Sequence, residues 1–316
     1  MSSTFRTILS VTKANFDISH QNHILTMGSC FAENIAQYLQ KGRFYLEINP
    51  FGILYNPISI AQGLDLLWSN SAFPETELVQ QGELWHSFLH HGSFAKLTKT
   101  ALLEDLKTRL EAHRVFAKKT NRIILTLGTA NVFVYRDTGK VVANCHKIPN
   151  TAFDKRRLSV AECVAAFDSI FQKIKTQYPD IQVIVTVSPV RHIRDGIVEN
   201  QRSKATLLLA AEQLTQQFSF VHYFPAYEIL MDDLRDYRFY NEDMIHPNDT
   251  AIAYVWEAFQ DSFFSESTKN ILREVEALNR LLAHRPLFPE TNEYQAFLRK
   301  QVKKSDAIQA KYPFLK

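Results

Sequence analysis

Residues 24–39 read ILTMGSCFAENIAQYL. The stretch opens as a short apolar run and continues with apolar residues at helical spacing, which predicts a buried strand feeding an amphipathic helix. Gly28-Ser29-Cys30 stands between the two. A strand that turns directly into a helix is the opening unit of a parallel α/β sheet, and ligands bind such sheets at the carboxyl ends of the strands. A helix N-terminus there offers unpaired N–H groups and the positive end of the macrodipole. Ser29 or Cys30 could attack a carbonyl at this turn. Equally, Ser29 could be a plain helix cap and Cys30 a small packing residue.

The rest of the chain repeats the unit. HILTM, RFYLEI, RIILTL, IQVIVTV and FVHYF read as buried strands, and LEDLKTRLEAHRVFAKK, SVAECVAAFDSIFQKIK and KATLLLAAEQLTQQF carry helical spacing. Strands alternating with helices predict right-handed crossovers and a three-layer α/β/α fold with a five-stranded, mainly parallel, flavodoxin-like sheet. After RIILTLG, the runs on either side of an Asp-Thr-Gly turn in VFVYRDTGKVVANC predict an inserted hairpin. Residues 49–94 read as a long irregular segment, a common form for functional loops. From residue 265 the pattern changes to two polar-faced helices separated by Pro286 and Pro289, which predicts a main domain over 1–264 and a helical appendage over 265–316.

Bulk composition excludes several classes. Hydrophobic residues make up 46% and charged residues 22%, ordinary for a globular chain, and 23 Phe predict a well-filled core. A formal charge of +3 gives no electrostatic case for a nucleic-acid partner. No apolar run approaches the ~20 residues of a membrane span. The first residues lack the apolar core of a signal peptide, so the expected location is cytoplasmic. Cys30, Cys145 and Cys163 are widely spaced and form no C-x-x-C pair, against a disulfide framework or thiolate metal site. Neither G-x-S-x-G, a P-loop nor a strand-linked G-x-G-x-x-G occurs, so no nucleotide or organic cofactor is expected.

A nucleophilic hydroxyl needs a base, and the base needs an orienting group. FYNEDMIHPNDTAIAYVWEAF supplies both types: Asp243 and His246 lie three residues apart, just before Pro247-Asn248 and a helical run. On a turn, that spacing lets the carboxylate bond one imidazole nitrogen and leaves the other for the nucleophile. A lone D-x-x-H is also ordinary surface turn chemistry.

Gly28-Ser29-Cys30-Phe31-Ala32 resembles the motif that names the GSCFA family, a branch of the SGNH hydrolase superfamily, and Asp243 to Asn248 resembles that superfamily's last block. The resemblance runs from about residue 22 to residue 264. It implies an SGNH-type sheet and a triad of Ser29 as nucleophile, His246 as base and acid, and Asp243 as orienter, without a cofactor. It favours Ser29 over Cys30. It also implies oxyanion donors from Gly52, in NPFG, and from Asn131. The superfamily's G-x-N is here Gly128-Thr129-Ala130-Asn131, one residue longer. The implied activity is a carboxylic ester hydrolase acting on a small-molecule or carbohydrate ester, such as an O-acetylated sugar. An O-acyltransferase using the same triad, and a non-catalytic scaffold retaining the fold, are the alternatives.

His86, His90 and His91 lie in WHSFLHHGSF without an acidic residue, and their aromatic and glycine neighbours predict a loop or strand, not a helical metal site. His146, after the hairpin, and Arg191, after the fourth strand, are strand-end candidates for contacting substrate. RKQVKK in the last helix reads as a solvated basic face.

Overall fold

A computed structural model describes residues 6–315. The first half contains β1 (His23–Gly28), α1 (Cys30–Lys41), β2 (Tyr45–Ile48), α2 (Pro57–Trp68), β3 (Leu78–Gln81), β4 (Leu84–Ser87) and α3 (Lys99–Ala117). Next come β5 (Arg122–Leu127), β6 (Asn131–Tyr135), β7 (Lys140–Val142), β8 (Phe153–Arg157), α4 (Val160–Gln177) and β9 (Gln182–Val187). The chain ends with α5 (Ile197–Gln217), β10 (Val221–Phe224), the single turn α6 (Ala226–Glu228), α7 (Asp249–Phe263), α8 (Glu266–Leu282) and α9 (Asn292–Lys311).

The main sheet has the order β10-β9-β5-β1-β2, and every pair in it is parallel. This is the expected three-layer α/β/α fold with a five-stranded sheet. Period two along the strands divides the core. Leu25 and Met27 of β1, Leu125 of β5 and Val185 of β9 face one apolar layer, with α2, α4 and α5. Ile24, Ile124 and Ile184 face the other, with Phe31 and Ile35 of α1 and Val255 and Phe259 of α7.

Two segments differ from the sequence reading. Residues 49–94 hold a regular helix, α2, capped by Asn56 through a bond from Ser59 N at 2.9 Å, with Pro57 in its first turn. Its apolar stripe is masked because nearly the whole helix is buried. At Gly63 a Cβ would stand 2.7 Å from Met27 Cε. The same segment carries the antiparallel pair β3–β4. Further on, the predicted hairpin β6–β7 gains a third strand, β8, paired with β6 from Asn131↔Arg157 to Tyr135↔Phe153. Four of the five residues of β8 are exposed, so no apolar alternation marks it.

The two expected C-terminal helices are α8 and α9. Leu272 of α8 joins the core beside α1, and Asn279 Nδ2 donates to the Lys41 carbonyl at 2.7 Å. Ile308 of α9 and Leu315 close over Val275 and Leu278. Among the described residues, no helix is long and apolar enough to cross a membrane.

Candidate active site

The turn from β1 to α1 is built on a residue that must be glycine. Gly28 has φ +139°, and a Cβ there would stand 2.2 Å from the Thr126 carbonyl oxygen. Its N–H donates to Asn49 Oδ1 at 3.0 Å and its carbonyl accepts from Leu54 N at 3.0 Å, which binds the turn to the loop after β2. Ser29 takes the N-cap position of α1, and its N–H donates to the Thr126 carbonyl at 3.0 Å. Its hydroxyl caps nothing: the residue is 0% exposed and Oγ has no hydrogen-bond partner among the described residues. Cys30 begins α1 and is only partly buried. Burial, then the Glu33 carboxylate, push its thiol above the usual range, against a smaller opposing effect of Lys204.

At the other end of the chain, Asp243 and His246 form the expected pair. His246 Nδ1 donates to Asp243 Oδ2 at 2.6 Å, and Asp243 Oδ1 accepts from Ile245 N at 2.8 Å and His246 N at 3.0 Å. Met244, at φ +56°, makes the bend that lets one carboxylate collect all three bonds. These bonds hold the Asp243 carboxyl down to about 2, the amide of His246 contributing most. The imidazole is therefore oriented by an ionised carboxylate, and its Nε2 makes no hydrogen bond among the described residues. The side chain of His246 is 46% exposed. No hydrogen bond joins it to Ser29.

Between these segments lies a group that sequence reasoning missed. Lys204 of α5 is wholly buried, and its Nζ donates to the carbonyls of Gly128 at 2.7 Å and Ser188 at 2.6 Å, just past the ends of β5 and β9. Burial pushes its pKa down to about 7. A signal was present: Asn200, Ser203, Lys204, Leu207, Ala211 and Leu214 share one buried helical stripe, so this lysine occupies an apolar position. His192 lies over the same floor. Its Nε2 would stand 3.3 Å from a Gly128 Cβ, its ring meets Tyr55 edge-on at 5.3 Å, and burial takes its pKa down to about 4. His192 feels the charges of both Lys204 and His246, and Tyr55 those of Cys30 and Glu33.

The remaining candidates separate. Arg191 joins the Asp243–His246 loop: its N–H donates to the Ile245 carbonyl at 3.3 Å and its guanidinium stacks over Tyr240 at 4.3 Å. The Gly52 N–H is taken by the Asn49 carbonyl at 2.7 Å, and its Cα packs against His91. Asn131 begins β6, half-buried, with no side-chain hydrogen bond to a described residue. His146 donates from Nε2 to the Ser87 carbonyl at 2.7 Å and stacks on His86 at 4.5 Å, so these contacts tie it to β4. His86 lies in β4, and among the described residues no group of three or more His, Cys, Asp or Glu is placed to hold a metal ion.

The chain matches the GSCFA family over residues 23–259 and the C-terminal domain of GSCFA domain proteins over residues 275–316. It belongs to the GSCFA family. Curated proteins give no match. Among solved structures, a carbohydrate esterase family 3 from Talaromyces cellulolyticus is 8% identical, with a TM-score of 0.37 over 81% of this chain and 99% of that one. The Clostridium thermocellum family 3 carbohydrate esterase is 12% identical, with a TM-score of 0.33 over 80% and 97%. An acetyl xylan esterase, Est2A, from Butyrivibrio proteoclasticus is 12% identical, with a TM-score of 0.34 over 85% and 66%. The family's naming motif is the β1–α1 turn described above.

Proposed function

We propose that this GSCFA protein is a carboxylic ester hydrolase that works through a covalent acyl-enzyme. The observation that carries the reading is the bond from His246 Nδ1 to Asp243 Oδ2 at 2.6 Å, on a carboxylate already fixed by two amides. An imidazole held this way presents Nε2 as a base, and the carboxylate stabilises the imidazolium that forms when it takes a proton. The β1–α1 turn supplies the nucleophile. Ser29 is the residue that the motif's resemblance to SGNH enzymes assigns, and Cys30 is the alternative beside it.

Attack on an ester carbonyl develops charge on its oxygen, and the amides at the start of α1 are the donors this reading assigns to it. Asn131, its side-chain amide unengaged by described residues, is the second donor in this reading. Gly52 would contribute only after its amide leaves the Asn49 carbonyl, to which it donates at 2.7 Å. His246 then returns its proton to the leaving alcohol, activates water and releases the acid. The substrate class is an O-acyl ester, with O-acetylated carbohydrate as the first to try, and Arg191 beside the His246 loop is a contact for it. An alcohol in place of water would make the same site a transferase.

The experiment is hydrolysis of p-nitrophenyl acetate and of acetylated sugars by wild type and His246→Ala. A loss of about 10³-fold or more in kcat/KM supports the reading. Equal rates overturn it.

A further inference from the structure

We infer that the attacking atom is Cys30 Sγ and not the Ser29 hydroxyl. The inference rests on the ester-hydrolase reading and changes the chemistry of its intermediate.

Adjacent residues at a strand-to-helix turn point in different directions, so only one of the two can face the substrate. Ser29 is 0% exposed, and its Oγ meets neither a hydrogen-bond partner nor solvent. A nucleophile needs the carbonyl carbon at roughly 3–3.5 Å along an open line of approach. A sealed hydroxyl lacks that line. Cys30 keeps part of its surface open at the first position of α1, where the helix-start amides oppose the rise that burial gives its thiol.

The surroundings of the thiol point the same way. Cys30 and Ile245 pack against the same apolar cluster, and Ile245 directly precedes His246. Cys30 and His192 both feel the charge of Lys204, and His192 also feels that of His246. Tyr55 and Cys30 both feel the Glu33 carboxylate. The hydrogen bonds made by Ser29 itself are backbone ones, to the Thr126 carbonyl and from Ala32 N.

The step is balanced without any added reagent. Burial and Glu33 favour the protonated thiol, so the proton must leave as the bond forms. His246 Nε2 takes it while Sγ bonds the carbonyl carbon. The tetrahedral oxyanion collapses, the C–O bond breaks, and the alcohol departs with the proton from His246. Water then gives its proton to His246 and attacks the thioester. The C–S bond breaks, the acid leaves, and the sulfur recovers its proton.

The test is acid-quenched reaction of the full chain with p-nitrophenyl acetate, followed by fragmentation of the tryptic peptide covering residues 14–41. Acetyl on Cys30, removed by neutral hydroxylamine, is the expected result. Acetyl on Ser29 overturns the inference and leaves the ester-hydrolase reading standing. Turnover that His246→Ala leaves unchanged overturns both. Where no acetyl accumulates, iodoacetamide decides. Cys30 should alkylate faster than Cys145 and Cys163, and His246→Ala should slow it by about tenfold or more. Alkylation of Cys30 no faster than the other two, or unaffected by His246→Ala, overturns the inference.

Discussion

Lys204 Nζ donates to the Gly128 carbonyl oxygen at 2.7 Å from a position without solvent contact. With its second bond, to the Ser188 carbonyl at 2.6 Å, it ties the chain just past β5 to the chain just past β9. A lone buried ammonium is costly, and two carbonyls offset part of that cost. Removing the amine strands both oxygens, at about 1–3 kcal/mol for each unsatisfied group. Lys204→Met should therefore destabilise the fold.

The deficit should also depend on pH. The pKa of Lys204 falls from 10.5 to about 7 on folding, so between those values the unfolded chain binds more protons and wild-type stability rises with pH. A neutral amine still carries two N–H bonds, enough for both carbonyls. The gap between wild type and Lys204→Met should widen from pH 7 to pH 10 in urea unfolding. A gap that narrows over this range would count against a depressed lysine.

Asp243 should act as an ionised orienter at every working pH. Its folded pKa is depressed from 3.8 to about 2, so its bonds to His246 are complete above the ordinary carboxylate range and are lost only as pH falls through about 2. Asp243→Asn should lower kcat/KM by about 10²–10⁴-fold across pH 5–9. Between pH 3 and 5, where an unperturbed carboxylate would titrate, the pH–rate profile of wild type should show no limb that the variant lacks.

Gly28→Ala should be among the most damaging single-methyl changes in the chain. The new Cβ would meet the Thr126 carbonyl oxygen at 2.2 Å, on a backbone at φ +139°. Backbone cannot yield as a side chain does, so a loss of about 3 kcal/mol or more is expected. Gly139→Ala is the control: its φ is +67° and no atom lies within 4 Å of the added carbon, leaving about 1–2 kcal/mol of backbone strain. Urea midpoints of the two variants give the comparison.

Buried histidines should set the acid limit. Burial lowers His90 to about 3, and His20 and His146 to about 4 each. Below their ordinary 6.5 the unfolded chain takes up protons that the folded chain refuses. Stability is thus full above that value and falls as pH drops from it toward 4. His90→Gln should flatten the slope of unfolding free energy between pH 6.5 and 4, whatever it costs at neutral pH.

Much of this architecture was legible in the residues. HILTM, RIILTL and IQVIVTV are buried on both faces, and continuous apolar runs of that length between helical patterns have few other solutions than a parallel sheet. Asp243 and His246 were readable because their bond is local, three residues apart on one turn. By contrast, α2 escaped because a helix buried nearly all round shows no clean polar face. β8 escaped because its exposed FDKRR carries no apolar alternation.

The sequence by itself determined the sheet, the glycine at its first turn and the Asp243–His246 pair, because period, turn chemistry and short spacing are local properties. Only the tertiary structure decided which of Ser29 and Cys30 is sealed, and brought Lys204 beneath the ends of β5 and β9. Burial and through-space charge depend on what other segments bring to a residue. Ser29 is closed by packing and its Thr126 neighbour, and Lys204 lies more than 170 positions beyond Cys30.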